Sequence, residues 1–428
     1  MSEKKPICSF CGAGETTEIP LIAGIEGHIC ENCVQLAHQV ISSWGRKRAL
    51  AELHNPPPSP EALKNKLDEY VIGQDTAKEI LSVAVYNHYK RLHWERSGDG
   101  ELNSELDVEL GKSNILLLGP SGSGKTLLAS TLARLVNVPF IVADATTLTQ
   151  AGYVGEDVES ILKRLLEAAE GDVGRAEWGI VYIDEIDKLA RSPDLATGIR
   201  DVSGEGVQQA LLKMVEGSRI KVPVRGKRRD GGGDEVSLDT THILFIAGGA
   251  FSGLPRVIAQ RMATGATGIG FHAEFASREV DAEPLVAEVD TEDLHRFGLI
   301  PEFIGRFPVV AQLDPLDEEA LIRILTETRH ALTRQYRKLL AIDGVALEFT
   351  PEALAAIARE ALRRGTGARG LRSVLERLLR QSMFKIPSSN PPVARCIVDE
   401  AAVTGDEPVR LIFAEAEQSR VDYAAVGG

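Results

Sequence analysis

Positive charge is what this chain is short of. Its 428 residues carry 48 Lys and Arg against 62 Asp and Glu, a net charge of −14. That balance weighs against a general nucleic-acid or anionic-membrane surface, while leaving room for a local basic groove. No apolar run approaches the ~20 residues of a membrane span. The opening Met1-Ser2-Glu3-Lys4-Lys5-Pro6 has neither the apolar centre of a signal peptide nor the Arg-rich character of a transit peptide. The chain therefore reads as cytoplasmic. No H-E-x-x-H occurs and no Ser-His-Asp set is evident, so no proteolytic site is assigned. Cysteine is scarce as well, with five in all.

What is present begins with those cysteines. Cys8-x-x-Cys11 and Cys30-x-x-Cys33 have the spacing of a four-cysteine zinc site. Four thiolates can close a tetrahedron around Zn2+, and a reducing compartment disfavours the alternative of two disulfides. His28 lies near, but four cysteines already suffice. Residues 1–44 are too few to bury a core, so metal supplies the folding energy. Over its first 40 residues this module holds five glutamates and two lysines, which suits a protein partner better than a nucleic acid. Val34, Ala37 and Ile41 recur at helical spacing; they could be core or a dimer face. Cys396 stands alone in an apolar stretch and reads as core.

The length exceeds what one hydrophobic core serves, so roughly two or three domains are expected. Residues 45–61 contain Pro56-Pro57-Pro58 and Pro60 and read as a semi-rigid linker. A large domain over 62–314 and a smaller, helix-rich one over 315–428 follow. In the latter, helical periods run near 318–340, 351–364 and 369–384, with strands near Arg395–Val398 and Val409–Phe413.

Gly119-Pro120-Ser121-Gly122-Ser123-Gly124-Lys125-Thr126 matches the phosphate-loop pattern at each required position. The apolar run Ile115–Leu118 before it reads as a buried strand, and Leu127–Leu135 after it as a helix. Glycines let N–H groups turn inward on phosphates, and the helix start adds positive charge. Lys125 should reach the terminal phosphates of ATP, and the Thr126 hydroxyl should bind Mg2+. Gly179–Ile183 then reads as a second buried strand ending in Asp184 and Glu185. At a strand end in a parallel sheet, Asp184 is placed to hold Mg2+ and Glu185 to polarise the attacking water.

With both halves present the chain resembles the AAA+ ATPases and, among them, the ClpX family of unfoldases. The resemblance spans essentially the whole chain. It rests on the four-cysteine module, Val71–Gln74, Gly152–Asp157, Tyr182–Lys188, Asp201–Gln209, Phe297–Arg306 and Thr366–Arg372. It implies an α/β fold: a three-layer phosphate-loop parallel sheet with a smaller α-rich domain, preceded by a small zinc-binding domain. It implies a homohexamer that hydrolyses ATP to unfold tagged proteins and deliver them to a ClpP-type peptidase, with adaptor proteins as further partners. Nucleic acid and membrane are not among the expected partners.

The resemblance also implies roles. Val71 and Ile72 match the adenine-contacting pair, and Pro120 through Leu127, with Ser121, Gly122, Ser123 and Gly124 between, match the nucleotide cradle. Arg306 matches an arginine finger that completes a neighbour's site, and Arg369 matches the sensor of the terminal phosphate. Arginine suits both, since its planar fork binds phosphate oxygens bidentately and stays charged. Tyr153 and Val154, between glycines, match a pore loop that grips polypeptide; Arg200 belongs to a second. Where the family has Arg-Lys-His at the pore entrance, this chain has Arg228, Arg229 and Asp230, which puts its choice of tags in question. Ile269-Gly270-Phe271 matches the tripeptide that plugs clefts on the peptidase. Two other classes stay open on sequence: a nucleic-acid motor, which the acidic balance disfavours, and a non-hydrolysing ATP switch, which Glu185 and Arg306 disfavour.

Overall fold

The computed structural model describes residues 6–37 apart from 15, 17–19 and 26, then 56–97, 108, 110–149, 156–190, 204–224, 234–265 and 289–414. Tyr153, Val154, Arg200, Arg228, Arg229, Ile269, Gly270 and Phe271 lie outside the described residues. The zinc module pairs strands Leu21–Ala23 and His28–Cys30 antiparallel, followed by a helical segment over 31–37.

Five parallel strands form the sheet of the large domain. In spatial order they are Val309–Gln312, Ile115–Leu118, Leu244–Gly249, Ile180–Asp184 and Phe140–Asp144. The central strands are buried on both faces, as their unbroken apolar runs require. Alternation then sorts their side chains into two cores. Leu116, Leu118, Val181, Ile183 and Phe245 pack toward the helices Ser160–Ala168 and Glu205–Glu216. Ile115, Leu117, Ile180, Tyr182 and Ile246 pack on the opposite side against Pro60–Asp68, Asp75–Ser97 and Lys125–Leu135. The result is a three-layer α/β sandwich.

The smaller domain has its own core, centred on Leu321, Ile357, Leu371, Leu375 and Leu379. Its three-stranded sheet runs Ala346–Phe349, Val393–Val398, Arg410–Phe413. Cys396 is buried there, as its sequence context suggested. The single helical period near 318–340 is two helices, Glu318–Thr326 and Leu332–Ile342. Contacts to the large domain hold the break open: the Arg329 N–H donates to the Glu69 carbonyl at 2.8 Å, and its guanidinium pairs with the Glu69 carboxylate at 3.2 Å. Gln74 pins the junction, its amide exchanging two 2.8 Å bonds with the backbone of Asp314.

Candidate nucleotide and zinc sites

The phosphate loop leaves the C-terminal edge of the sheet between Leu118 and the helix Lys125–Leu135. That helix starts at Gly124, with φ 109° and no side-chain cap. Its first N–H groups are thus left for an anion, which the helix dipole favours. Ser123 is buried beneath the loop, and its hydroxyl has no partner among the described residues. An uncapped helix start with an orphan hydroxyl fits a phosphate chain. Lys125 donates to the carbonyls of Gly119 and Pro120 at 2.6 and 2.9 Å. Burial holds its ammonium below the ordinary lysine range, against the opposing pull of Asp184, Asp187 and Glu185.

Asp184 ends the strand Ile180–Asp184. One carboxylate oxygen accepts from Thr126 Oγ1 at 3.2 Å. The other accepts from the Tyr182 hydroxyl at 3.1 Å and the Glu185 N–H at 3.0 Å. Thr126 and Asp184 thereby present adjacent oxygens, the donor type that Mg2+ takes. Glu185 follows at φ 56°. Left-handed backbone costs a non-glycine residue ~1–2 kcal/mol, and here it turns the carboxylate out of the strand to an exposed position beside the cleft. Asp187, nearly buried, accepts from the N–H groups of Ala250 and Phe251 at 3.2 and 3.3 Å. That ties the acidic turn to the end of the neighbouring strand.

These groups line a cleft of about 780 Å3 closed by the smaller domain, which contributes Thr328, His330, Leu332, Gln335, Arg369 and Arg372. Ala368 N–H donates to the Gly122 carbonyl at 3.3 Å, so the two domains meet on the loop itself. Leu127 lines the cleft, as Ser121, Gly122, Gly124, Lys125 and Thr126 do. Val71 and Ile72 are buried, Val71 against Gly124, while their neighbour Tyr70 faces the cleft. Tyr70 also meets the His330 ring at 5.7 Å. Neither residue carries a local pattern from which sequence alone would single it out.

Arg306 lies elsewhere. The Asn114 side-chain amide donates to its carbonyl at 2.8 Å, and Asn114 immediately precedes the strand Ile115–Leu118. Arg306 therefore sits at the edge of the sheet opposite the phosphate loop. Asn114 to Gly119 covers about 16 Å at ~3.3 Å per residue. Its guanidinium makes an exposed pair with Glu216 at 2.6 Å.

In the zinc module the Sγ atoms of Cys8, Cys11, Cys30 and Cys33 all lie within 4.8 Å of one another. The Cys30 N–H donates to Cys8 Sγ at 3.3 Å. Backbone N–H groups, Cys11's foremost, pull the Cys8 thiol down to about 6. The Cys11 side chain, with burial, pushes Cys33 up to about 12. Four sulfurs this close cannot all ionise without a cation between them, and four thiolates are the donor set of a structural Zn2+. His28 stands outside the cluster.

Comparison with known proteins accounts for the arrangement. Residues 6–43 match the family described as the ClpX C4-type zinc finger. Residues 111–310 match the AAA domain of the Cdc48 subfamily, and 316–395 the C-terminal D2-small domain of ClpB. The chain is 62% identical over 423 residues to the ATP-dependent Clp protease ATP-binding subunit ClpX 3 of Methylococcus capsulatus, covering 98% of this chain and 97% of that one. The chain belongs to the ClpX family. The ClpX of Azotobacter vinelandii is 56% identical over 396 residues, spanning 92% of this chain and 89% of its own length. That of Porphyromonas gingivalis is 47% identical over 407 residues, spanning 94% and 96%. The chain is accordingly an AAA+ ATPase with a zinc-binding module. No described helix is long and apolar enough to cross a membrane.

Proposed function

We propose that this ClpX-family ATPase works as a homohexameric unfoldase, drawing tagged proteins through a central pore and passing them to a ClpP-type peptidase. The observation that carries the reading is the separation of Arg306 from its own phosphate loop by the length of the strand Ile115–Leu118. An arginine on the far edge can complete only another copy's site. Such a contact is head-to-tail, and head-to-tail contacts close into rings when the rotation permits.

Within one site, Lys125 and the loop N–H groups hold the phosphates, and Thr126 with Asp184 holds Mg2+. Bound there, the metal would neutralise charge on the phosphate oxygens. Glu185 orients the attacking water and accepts its proton. Arg306 from the adjoining copy stabilises charge developing on the transferred group, and Arg369 links that event to the smaller domain across the Gly122–Ala368 contact. Tyr153 and Val154 grip the substrate, with Arg200 in a second pore loop. Arg228 and Arg229 attract the carboxylate of an incoming C-terminal tail, and Asp230 narrows which tails are accepted. The acidic zinc module receives adaptor proteins. Ile269-Gly270-Phe271 docks the peptidase.

The test is degradation of a tagged reporter by the full chain with a ClpP-type peptidase, with and without ATP, for the parent and for a variant lacking 269–271. The parent alone should degrade the reporter, and only with ATP, while ATP turnover is equal in both. Degradation by the deletion variant would contradict the docking role.

A further inference from the structure

Arg306 is gripped at its carbonyl and at its guanidinium, and neither grip belongs to the residues that hold nucleotide. Its carbonyl accepts from Asn114, which is 2% exposed and also accepts the Phe245 N–H at 3.2 Å. Its guanidinium donates through both Nε and Nη2 to a single oxygen of Glu216, at 3.0 and 2.6 Å. That contact occupies one edge of the fork and leaves Nη1 without a bond to any described residue. The arm leading to Arg306 is held as well. Gln208, fully buried, accepts the Ile300 N–H at 2.8 Å and donates to the Leu189 carbonyl at 2.8 Å.

Gln208 and Glu216 lie on one helix, Glu205–Glu216. Lys112 anchors the end of that helix by donating to the Val215 carbonyl at 3.2 Å. Leu189 closes the turn that follows Glu185. Helix stability does not explain Glu216: a carboxylate on the last residue opposes the helix dipole. Its partner explains it.

We propose that Glu216 is a positioning residue for ATP hydrolysis, holding the Arg306 fork so that its free edge faces the neighbouring copy, with the helix Glu205–Glu216 as the strut. This rests on the reading of Arg306 as a group that acts in trans. Gln208 holds the near end of the arm to the acidic turn, and Glu216 holds the far end at the guanidinium. The two grips are about 12 Å apart at ~1.5 Å per residue.

The experiment mixes two variants of the full chain. Arg306→Ala keeps its own site but offers no finger; Glu185→Gln cannot hydrolyse but offers one. Titrating the second into the first should restore ATP turnover. Adding Glu216→Ala to the Glu185→Gln donor should lower the restored rate about two- to fivefold, the factor by which an exposed ion pair fixes a side chain. KM for ATP should stay unchanged, and Glu216→Gln, which keeps the acceptor oxygen, should recover part of the loss. Because the donor does no chemistry of its own, the readout isolates delivery of the finger. Gln208→Leu in the donor should fall further while the donor still binds ATP. An unchanged restored rate with Glu216→Ala, or a raised one, overturns the proposal. If the unmodified donor restores nothing, the trans reading of Arg306 fails, and the role of Glu216 fails with it.

Discussion

Two glycines of the phosphate loop separate backbone strain from steric contact. Gly122 and Gly124 have φ of +79° and +109°. Alanine at either would be held where side chains rarely sit, at a cost of about 1–3 kcal/mol. Their surroundings differ. A Cβ on Gly124 would meet only Val71 Cγ1, at 3.9 Å, an ordinary contact. A Cβ on Gly122 would fall 2.5 Å from the Thr366 carbonyl oxygen, 3.1 Å from Gly367 Cα and 3.2 Å from Ala368 N. Those are backbone atoms leading into the helix Ala368–Lys385, and they cannot swing aside as a side chain would. Where the empty loop relaxes to relieve that strain, ATP binding must restore it, so Gly124→Ala should weaken binding by at most about 5- to 150-fold at ~1.4 kcal/mol per factor of ten. Gly122→Ala carries the same strain and must also displace 366–368, which lead into Arg369. Titration with a fluorescent ATP analogue measures the first effect. Hydrogen exchange at residues 366–372 with and without nucleotide measures the second. Gly124→Ala should keep nucleotide-dependent protection at 366–372; Gly122→Ala should bind more weakly and lose it. Equal affinities, with protection retained in both, would refute a working contact between the loop and the smaller domain at Gly122.

Arg306→Ala should bind ATP normally and lose about 10³–10⁵ in turnover, as measured by phosphate release; normal turnover would remove it from the mechanism. Chelation of zinc should melt the module around Cys8, Cys11, Cys30 and Cys33 while the thermal transition of the remaining chain persists, read by amide spectra of the module and calorimetry of the whole. Burial drives His88 from its usual 6.5 down to about 3, with Arg91 and Lys112 adding to the shift. Over that interval the unfolded chain binds a proton that the folded one refuses, so the folded state should lose stability as pH falls through 6.5 toward 3. His88→Gln, which keeps a donor for the His242 carbonyl, should flatten that acid limb in denaturant titrations at pH 7 and 4.5.

The parts legible in the sequence are those written locally. Ile115–Leu118, the loop after it and the Asp184-Glu185 strand end are each contiguous, and their chemistry follows from their order. The cysteine pairs are local too. What stayed hidden is set by contacts distant along the chain. The strand Leu244–Gly249 inserts between Ile115–Leu118 and Ile180–Asp184, and no local pattern states that neighbourhood. The break over 327–331 has no glycine or proline to announce it; Glu69 in the other domain holds it. The hairpin Arg219–Val224 with Asp234–Asp239 was masked by Pro223, which argues against a strand unless the strand lies at an edge. Tyr70 and His330 reach the cleft only because the smaller domain folds back over the large one. Glu216 could be paired with Arg306 only after folding brought together the end of one helix and the start of another segment.

The most direct measurement is made without any peptidase. The purified full chain is mixed with a stably folded fluorescent protein carrying a C-terminal tag, and fluorescence is followed with ATP and Mg2+, and with a slowly hydrolysed ATP analogue. Fluorescence should fall with ATP and hold steady with the analogue. Brisk ATP turnover beside undiminished fluorescence, whatever tag is offered, would contradict the unfoldase function.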